Sequence, residues 1–403
     1  MIRKESSAGV GYSVVDPNGV RHVFAAAAPR SGETLAEQAH DALRTIEAVT
    51  SEQGAGGSIV HQAVFLRDLA DRDACREIIN QFYGDELPAT TYIMQPPCDG
   101  KLLAIEALGV GRGRGQVEIE RLGERMVLTH HDGITWVHMG NVCLRTPFPG
   151  VYDRASHVFQ ALNEGLALRG YRFDQIIRTW LYLGDIVGPD GETQRYKELN
   201  RARTDYYEGI QFGRGMLPPN WDKPVYPAST GIGTEGKDLV VSCIALATER
   251  PDVRVIPLEN PLQTAACDYE PRYGHKSPKF ARAMAVVTGK YAATLISGTA
   301  SITASDTLHC DDVEAQTRQT LDNIAALISE HNYSRYGYPG FGATLDDVAL
   351  VRVYIKRQED YEKTRRVCEA RLGEVPTIYA VADVCRPELL VEIEGISFAT
   401  RKS

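Results

Sequence analysis

One pattern recurs three times along the 403 residues, and it limits this chain more than any single motif. Each copy reads as a strand, an amphipathic helix, a second strand, a second helix, a proline-marked loop and a closing strand. In the first copy the opening strand lies at 22–27 and the helix at 35–49, where Leu35, Ala39, Leu43 and Ile46 form an apolar stripe at helical spacing. A strand at 59–66, a helix at 72–82, the loop Pro88-Ala89-Thr90-Thr91 and a strand at 101–109 complete it. The second copy places these elements at 134–143, 152–169, 175–183, 194–207 and 239–248, with Pro227-Ala228-Ser229-Thr230-Gly231-Ile232-Gly233 following a long loop. The third has 291–300, 313–330, 348–356 and 359–372, then a loop at Pro376-Thr377 and a last strand at 389–398. The stretch 256–285 reads as irregular. Each copy is too small to bury a core alone, which predicts an α+β protein of three mutually supporting units at 1–110, 111–250 and 251–403.

Charge and cysteine usage exclude several classes of function. With 44 basic against 53 acidic residues the net charge is −9, unfavourable for binding a phosphate backbone, so no nucleic-acid partner is expected. A local basic pocket for a small anion remains compatible with that balance. The eight cysteines include no C-x-x-C pair, so neither a zinc site nor a disulfide framework is expected, and free thiols fit a cytoplasmic location. The N-terminal residues lack the apolar core of a signal peptide, and no apolar run is long enough to span a bilayer. His130 and His131 sit in a polar turn and are expected at the surface.

The last strand carries two acids, Glu392 and Glu394, which alternate with Val391 and Ile393 and therefore share one face. Pattern alone allows a solvated outer face or a carboxylate desolvated in a cleft and poised as a general acid. Comparison among the copies favours the cleft for Glu392, because the matching places hold Ala104 and Ser242. Glu394 has a counterpart in Glu106 and reads as structural.

Each unit resembles the RidA/YjgF family, on the residues Gln316-Thr-Arg-Gln-Thr-Leu-Asp-Asn-Ile324 and Glu392-Ile-Glu394-Gly, with more diverged forms in the first two copies. That resemblance implies three tandem chorismate-mutase-like units, a pseudo-trimer within one polypeptide. A second resemblance, to the chorismatases, covers roughly the C-terminal three-quarters of the chain, a span of more than one domain. It rests on Ile177-Arg178-Thr179-Trp180-Leu181-Tyr182, Pro227 to Gly233, Glu259-Asn260-Pro261 and Tyr273-Gly274. It continues through Phe280-Ala281-Arg282-Ala283, Ile296 to Ala300, Arg365 to Leu372 and Leu389 to Gly395.

The RidA arginine that pairs with a substrate carboxylate is absent: its places hold Thr90, Ser229 and Thr377. The chorismatase resemblance implies instead an enzyme that takes a small anionic metabolite, chorismate or a similar molecule, with Glu392 as general acid. It needs no cofactor and no metal. Two carboxylates call for cationic anchors, for which Arg178 and Arg282 stand in matching motifs, with Tyr269 and Tyr273 as hydrogen-bonding partners. Arg178 also reads as a plain surface residue, Arg282 as a structural ion pair and the tyrosines as packing. Gly298 and Cys385 match the 3-hydroxybenzoate-forming chorismatases, where glycine and cysteine occupy those places; as bare sequence they read as a strand bulge and a buried filler. The departures are Gln358, where relatives can be richer in arginine, and a complete first unit. Two other functions fit the same residues: a RidA-type hydrolase of another small imine, enamine or enol ether, and a non-catalytic small-molecule-binding protein. No membrane partner is expected, and the chain reads as a monomer or a small homo-oligomer.

Overall fold

A computed structural model describes residues 2–7, 9–56, 58–113, 115–270 and 276–402. The first sheet comprises β1 (Arg3–Ser7), β2 (Val10–Val15), β3 (Val20–Ala27), β4 (Ile59–Leu66), β5 (Ala89–Ile93) and β6 (Leu103–Arg112), in the order β1-β2-β3-β6-β4-β5. Helices α1 (Leu35–Glu52) and α2 (Arg72–Tyr83) link β3 to β4 and β4 to β5. Thr34 and Glu37 start α1 as a reciprocal capping box.

The second sheet repeats this topology with β7 (Glu118–Leu122), β8 (Met126–His131), β9 (Ile134–Val142), β10 (Ile176–Gly184), β13 (Ala228–Thr234) and β14 (Leu239–Thr248), ordered β7-β8-β9-β14-β10-β13. Its helices are α3 (Val151–Ala167) and α4 (Arg195–Tyr206), with a small hairpin, β11 (Pro189–Asp190) and β12 (Thr193–Gln194), before α4. The third has β15 (Arg254–Leu258), β16 (Ala283–Thr288), β17 (Tyr291–Ala300), β20 (Val348–Ile355), β21 (Thr377–Val381) and β22 (Val391–Thr400), ordered β15-β16-β17-β22-β20-β21. A hairpin, β18 (Ile302–Thr303) and β19 (Asp306–Thr307), precedes α5 (Val313–Ile328) and α6 (Glu330–Arg335), and α7 (Tyr361–Leu372) follows β20. The architecture is α+β, three like-folded sheets with helices, as the repeat predicts. Among the described residues no helix is long and apolar enough to cross a membrane.

The sequence reading differs from the structure in four places, each for a physical reason. The proline-marked loops of each copy are parallel edge strands, β5, β13 and β21, paired with β4, β10 and β20. A proline at the mouth of an edge strand costs no ladder hydrogen bond, so it marks the strand's start. The stretch read as irregular is so among its described residues between 259 and 282, but its two ends belong to β15 and β16, and equivalent antiparallel pairs, β1–β2 and β7–β8, extend the other two sheets. Such edge strands gain their order from long-range pairing, to which local periodicity is blind. The helix expected at 313–330 is broken at Ser329, whose extended backbone ends α5 and whose side chain caps α6. His131 is buried, its ring 5.4 Å from that of His22, not exposed in a turn.

The helices pack on their own sheets, and the opposite sheet faces meet at the centre. There a chain of alternating charges crosses all three units. Glu106 of β6 receives a two-pronged pair of bonds from Arg352 of β20, at 2.6 Å each. Arg352 lies 3.1 Å from Glu394 of β22, which also pairs with Arg178 of β10. Trp180 and Tyr354 donate to Glu394 at 2.9 Å, and Tyr182 accepts from Arg352 at 2.7 Å. All four charged side chains are buried. Register explains the arrangement: Arg352 lies opposite Glu394, Arg178 opposite Ile244 and Ala63 opposite Glu106. Two of three equivalent places therefore carry an arginine and two carry a glutamate. The odd ones, Ala63 and Ile244, are apolar and belong to one core cluster.

Beside this chain lie His61 and His138, rings 5.7 Å apart, with His61 stacked on Trp180. Burial holds His61 down to about 3, assisted by Arg352, and holds His138 well below the ordinary histidine range. Each protonates more readily in the unfolded chain, near pH 6.5. Their contribution to stability is thus present above that pH and is lost as pH falls toward the folded values. We expect unfolding free energy from urea titration to drop between pH 6.5 and pH 4.5 by ~1.4 kcal/mol per pH unit for each imidazole. His61→Phe should reduce that slope by one proton; an unchanged slope would contradict the assignment.

Candidate active site

A cavity of about 330 Å³ lies between the second and third units. Its floor is the start of β22, with Glu392, beside Gly298 and Ala300 of β17. Tyr196, Asn200 and Arg203 of α4 form one wall, Ser229 and Gly231 of β13 lie alongside, and Phe280, Arg282 and Tyr269 form the other wall. Cys385 to Leu389 make the rim.

Glu392 is 5% exposed and no hydrogen bond to it is found among the described residues, although its side chain lines the cavity. Burial, reinforced by the neighbouring charge of Glu394 and opposed by Arg178 and Arg282, raises it to about 8. It is therefore protonated at neutral pH and can donate. Glu394, two residues on, behaves oppositely: burial would raise it, but Arg178, Arg352, Thr230 and Tyr354 hold it below the usual carboxylate range. One strand thus presents a neutral acid to the cavity and an ionised carboxylate to the core.

The structure shows what the absence of a side chain at Gly298 permits. A Cβ there would collide with Oε1 of Glu392 and stand 3.1 Å from Cγ2 of Thr230. The Gly298 N–H donates to Thr230 Oγ1 at 2.9 Å, at an irregularity in the β17–β22 register between Ile296 and Thr299. Cys385 is half-buried; burial and the neighbouring Glu392 push its thiol up to about 12, so it is a neutral S–H and not a thiolate.

The expected anchors divide. Arg282 lines the cavity and donates to Tyr269 and to Thr264 O, with its guanidinium 5.3 Å from the ring centre of Phe280. Burial disfavours its charge, yet Tyr269 and Glu259 more than offset this and raise it. Arg178, by contrast, does not line the cavity: it is 2% exposed, committed to Glu394 and Thr230 behind the floor, and lies 4.6 Å over Trp180. Tyr273 lies outside the described residues.

Besides Arg282 and Arg386 of the rim, the cavity is lined by Arg203, which the sequence analysis does not single out. It is 1% exposed, donates to Asn200 at 2.6 Å and Ser229 at 3.3 Å, and stands 5.6 Å from the other side chain contact of the wall, the Phe280 ring centre. No carboxylate partner is found for it among the described residues. A signal existed, since Tyr196, Asn200 and Arg203 follow the i, i+4, i+7 spacing of one helix face, next to the buried Leu199 and Ala202. Phe280 thus spaces two guanidinium groups, an arrangement suited to an anion with two carboxylates.

The other clefts lack this chemistry. Tyr354 pairs with Glu392, Phe65 with Ala104 and Trp180 with Ser242, so strand register makes the three places equivalent. Between the third and first units a cavity of about 550 Å³ has Ala104 where the acid would stand and Gly11 at the register of Arg282. Its helix wall carries Tyr361, Arg365 and Cys368 at the spacing of Tyr196, Asn200 and Arg203. Among the described residues no group of side chains forms a metal site.

The family model for endoribonuclease L-PSP matches residues 279–399. A "3-hydroxybenzoate synthase" of Streptomyces hygroscopicus is 32% identical over 279 residues, covering 66% of this chain and 76% of that protein. A "chorismatase" of Streptomyces rapamycinicus is 31% identical over 274 residues, covering 66% and 77%. A chorismatase crystal structure superposes with a TM-score of 0.66 at 22% identity, covering 94% of this chain and 98% of that one, which shows a shared fold.

Gly298→Ala tests the packing of the floor. The variant is expected to fold, at a cost of roughly 1–3 kcal/mol for the extra methyl group, and its crystal structure should show the Glu392 carboxyl rotated away from β17. An unmoved carboxyl would refute the contact.

Proposed function

The chain belongs to the chorismatase family, and from that premise we propose that it acts on chorismate in the cleft between its second and third units, releasing 3-hydroxybenzoate and pyruvate. The observation that carries this reading is Glu392, a buried neutral carboxyl facing a cavity flanked by Arg203 and Arg282. Chorismate bears two carboxylates and an enol ether that joins a pyruvyl group to a cyclohexadiene ring. The two arginines bind the carboxylates and so fix the ring between the walls. Glu392 then protonates the methylene carbon of the enol ether, which leaves an oxocarbenium-like centre. The carboxylate formed in that step lies beside the cation and stabilises it electrostatically.

The products together have the composition of chorismate, so aromatisation to 3-hydroxybenzoate consumes no water overall. A neutral S–H at Cys385 and an acid seated close against Gly298 favour that outcome over plain hydrolysis, in keeping with the glycine–cysteine pair. The two arginines also weigh against a neutral imine or enamine as substrate, and the raised acid weighs against a purely binding role.

The test is to incubate the purified protein with chorismate, measure pyruvate by a coupled assay and identify the aromatic product by chromatography. Pyruvate release should vanish in Glu392→Gln, and kcat/KM should fall above about pH 8 as Glu392 loses its proton. Arg203→Met should raise KM by about 10–100-fold, the worth of one hydrogen bond to a charged group. Well-folded protein that releases no pyruvate would overturn the proposal.

A further inference from the structure

We propose that Glu106 of the first unit is a positioning residue for the acid of a cleft it does not touch, acting through Arg352 and Glu394. This rests on the reading of Glu392 as the proton donor, and it gives the first unit a role in the reaction.

The fork of Arg352 is closed on Glu106 by Nε and Nη2, at 2.6 Å each, which fixes the guanidinium plane. Only Nη1 is left, and it is shared between Tyr182 of the second unit at 2.7 Å and Glu394 of the third at 3.1 Å. Glu394 therefore has one full cation, Arg178, and a share of a second that is mostly committed elsewhere. Through Thr230, which bonds both Glu394 and the Gly298 N–H, the same carboxylate also holds the bulge against which Glu392 rests.

Charge counting gives the direction. Glu106, Arg352, Glu394 and Arg178 alternate and sum to zero, so behind Glu392 the nearer anion is felt. With Glu106 neutralised, Arg352 is free to swing its charge toward Glu394 and the core carries one net positive charge. A cation behind Glu392 favours its ionised form, so the acid is lost at lower pH. The other groups around Glu392 stay in place: Tyr196, Lys197 and Arg203 from α4, Tyr269 and Arg282 from the other wall, and Cys385, Arg386 and Glu388 from the rim. The shift is therefore attributable to the chain through Arg352.

The core also shows how to remove the pair without breaking the fold. The third equivalent place already holds apolar residues, Ala63 and Ile244. Replacing both members of a buried ion pair by apolar groups is commonly tolerated, whereas removing one partner is not.

The experiment is the pH profile of kcat/KM for pyruvate release from chorismate, with thermal melts as a folding control. Glu106→Gln should move the high-pH limb down by roughly one pH unit, the order of magnitude for unit charges on the order of 10 Å apart at an effective dielectric near 20. Glu106→Asp, which keeps the charge, and the double variant E106L/R352L, which keeps the balance, should leave the limb near its original place. A purely structural role would lower kcat/KM without moving the limb. An unmoved limb in folded Glu106→Gln, or an equal shift in the double variant, would overturn the proposal. If Glu106→Gln does not fold, Arg352→Gln replaces it: the limb should then move up, and a limb that stays put overturns the idea. Glu392→Gln run in parallel separates the two readings. Activity surviving in it sinks the assignment of the acid, whereas an inactive Glu392→Gln with an unshifted Glu106→Gln sinks the positioning role alone.

Discussion

The chain of four charges from Glu106 to Arg178 is the constraint on which the other features of this molecule depend. Taking such charges out of water costs several kcal/mol per ion, and only close pairing with further hydrogen bonds offsets it. Here every partner comes from a different unit than the last across each bridge between units: the first supplies Glu106, the third Arg352 and Glu394, the second Arg178. The three sheets cannot shift against one another without stranding a buried charge. Removing one partner of such a pair typically costs about 3–5 kcal/mol, a large share of a protein's net stability. Apolar packing supplies the bulk of the cohesion, but it would tolerate sliding; the ions fix the register of sheet on sheet.

That fixed register is what allows one cleft to differ chemically from its pseudo-symmetric counterparts. Three identical subunits would have to place the same residue in every cleft. In one chain each copy is free to change, and the changes follow the chemistry. The acid place holds Ala104, Ser242 and Glu392, and the register of Arg282 holds Gly11 in the first unit. A buried neutral carboxyl is costly wherever it occurs, because it forgoes hydrogen bonds with water. One such group meets the needs of one cleft, and the other clefts are relieved of it.

How much of this was legible in the sequence depends on the range of each interaction. The strands β9, β14, β17 and β20 and the helices α1 and α2 were visible, because hydrophobic period is a local property. The parallel edge strands read as loops in the sequence, because their order comes from pairing with β4, β10 and β20. Glu392 was found by setting the copies side by side, which works because the strand register is the same in all three. Arg178 and Arg203 show the opposite limit. Arg178 sits in an apolar strand and Arg203 on a polar helix, and only the packing of unit on unit decides that Arg178 turns to the core and Arg203 to the cleft. Motif matching favoured the former because it sits in the more recognisable stretch. Glu394 was read as structural from its counterpart Glu106, and the two do share one network, though they share it with the acid's surroundings as well.

The closeness of Gly298 to Glu392 bears on how a small residue can govern the outcome of a reaction. A methyl group at that place would not chiefly narrow the space for a ring; it would contest the position of the Glu392 carboxyl, the proton donor we propose. Protonation of an enol ether is sensitive to the approach of the acid to one carbon, and a displacement of about 1 Å is enough to cost two orders of magnitude in rate. A bulged glycine held by Thr230 is therefore a way to let an acid lie flat against a strand, within reach of the substrate yet still desolvated. In the reaction proposed above, the neutral thiol of Cys385, on the rim near Glu392, meets a ring positioned by the two arginines. Acid placement, anion anchoring and the charge behind the floor act on the same few ångströms, and each comes from a different unit or interface of the chain. The pseudo-trimer is in this sense a device for holding three independent elements in one registered site.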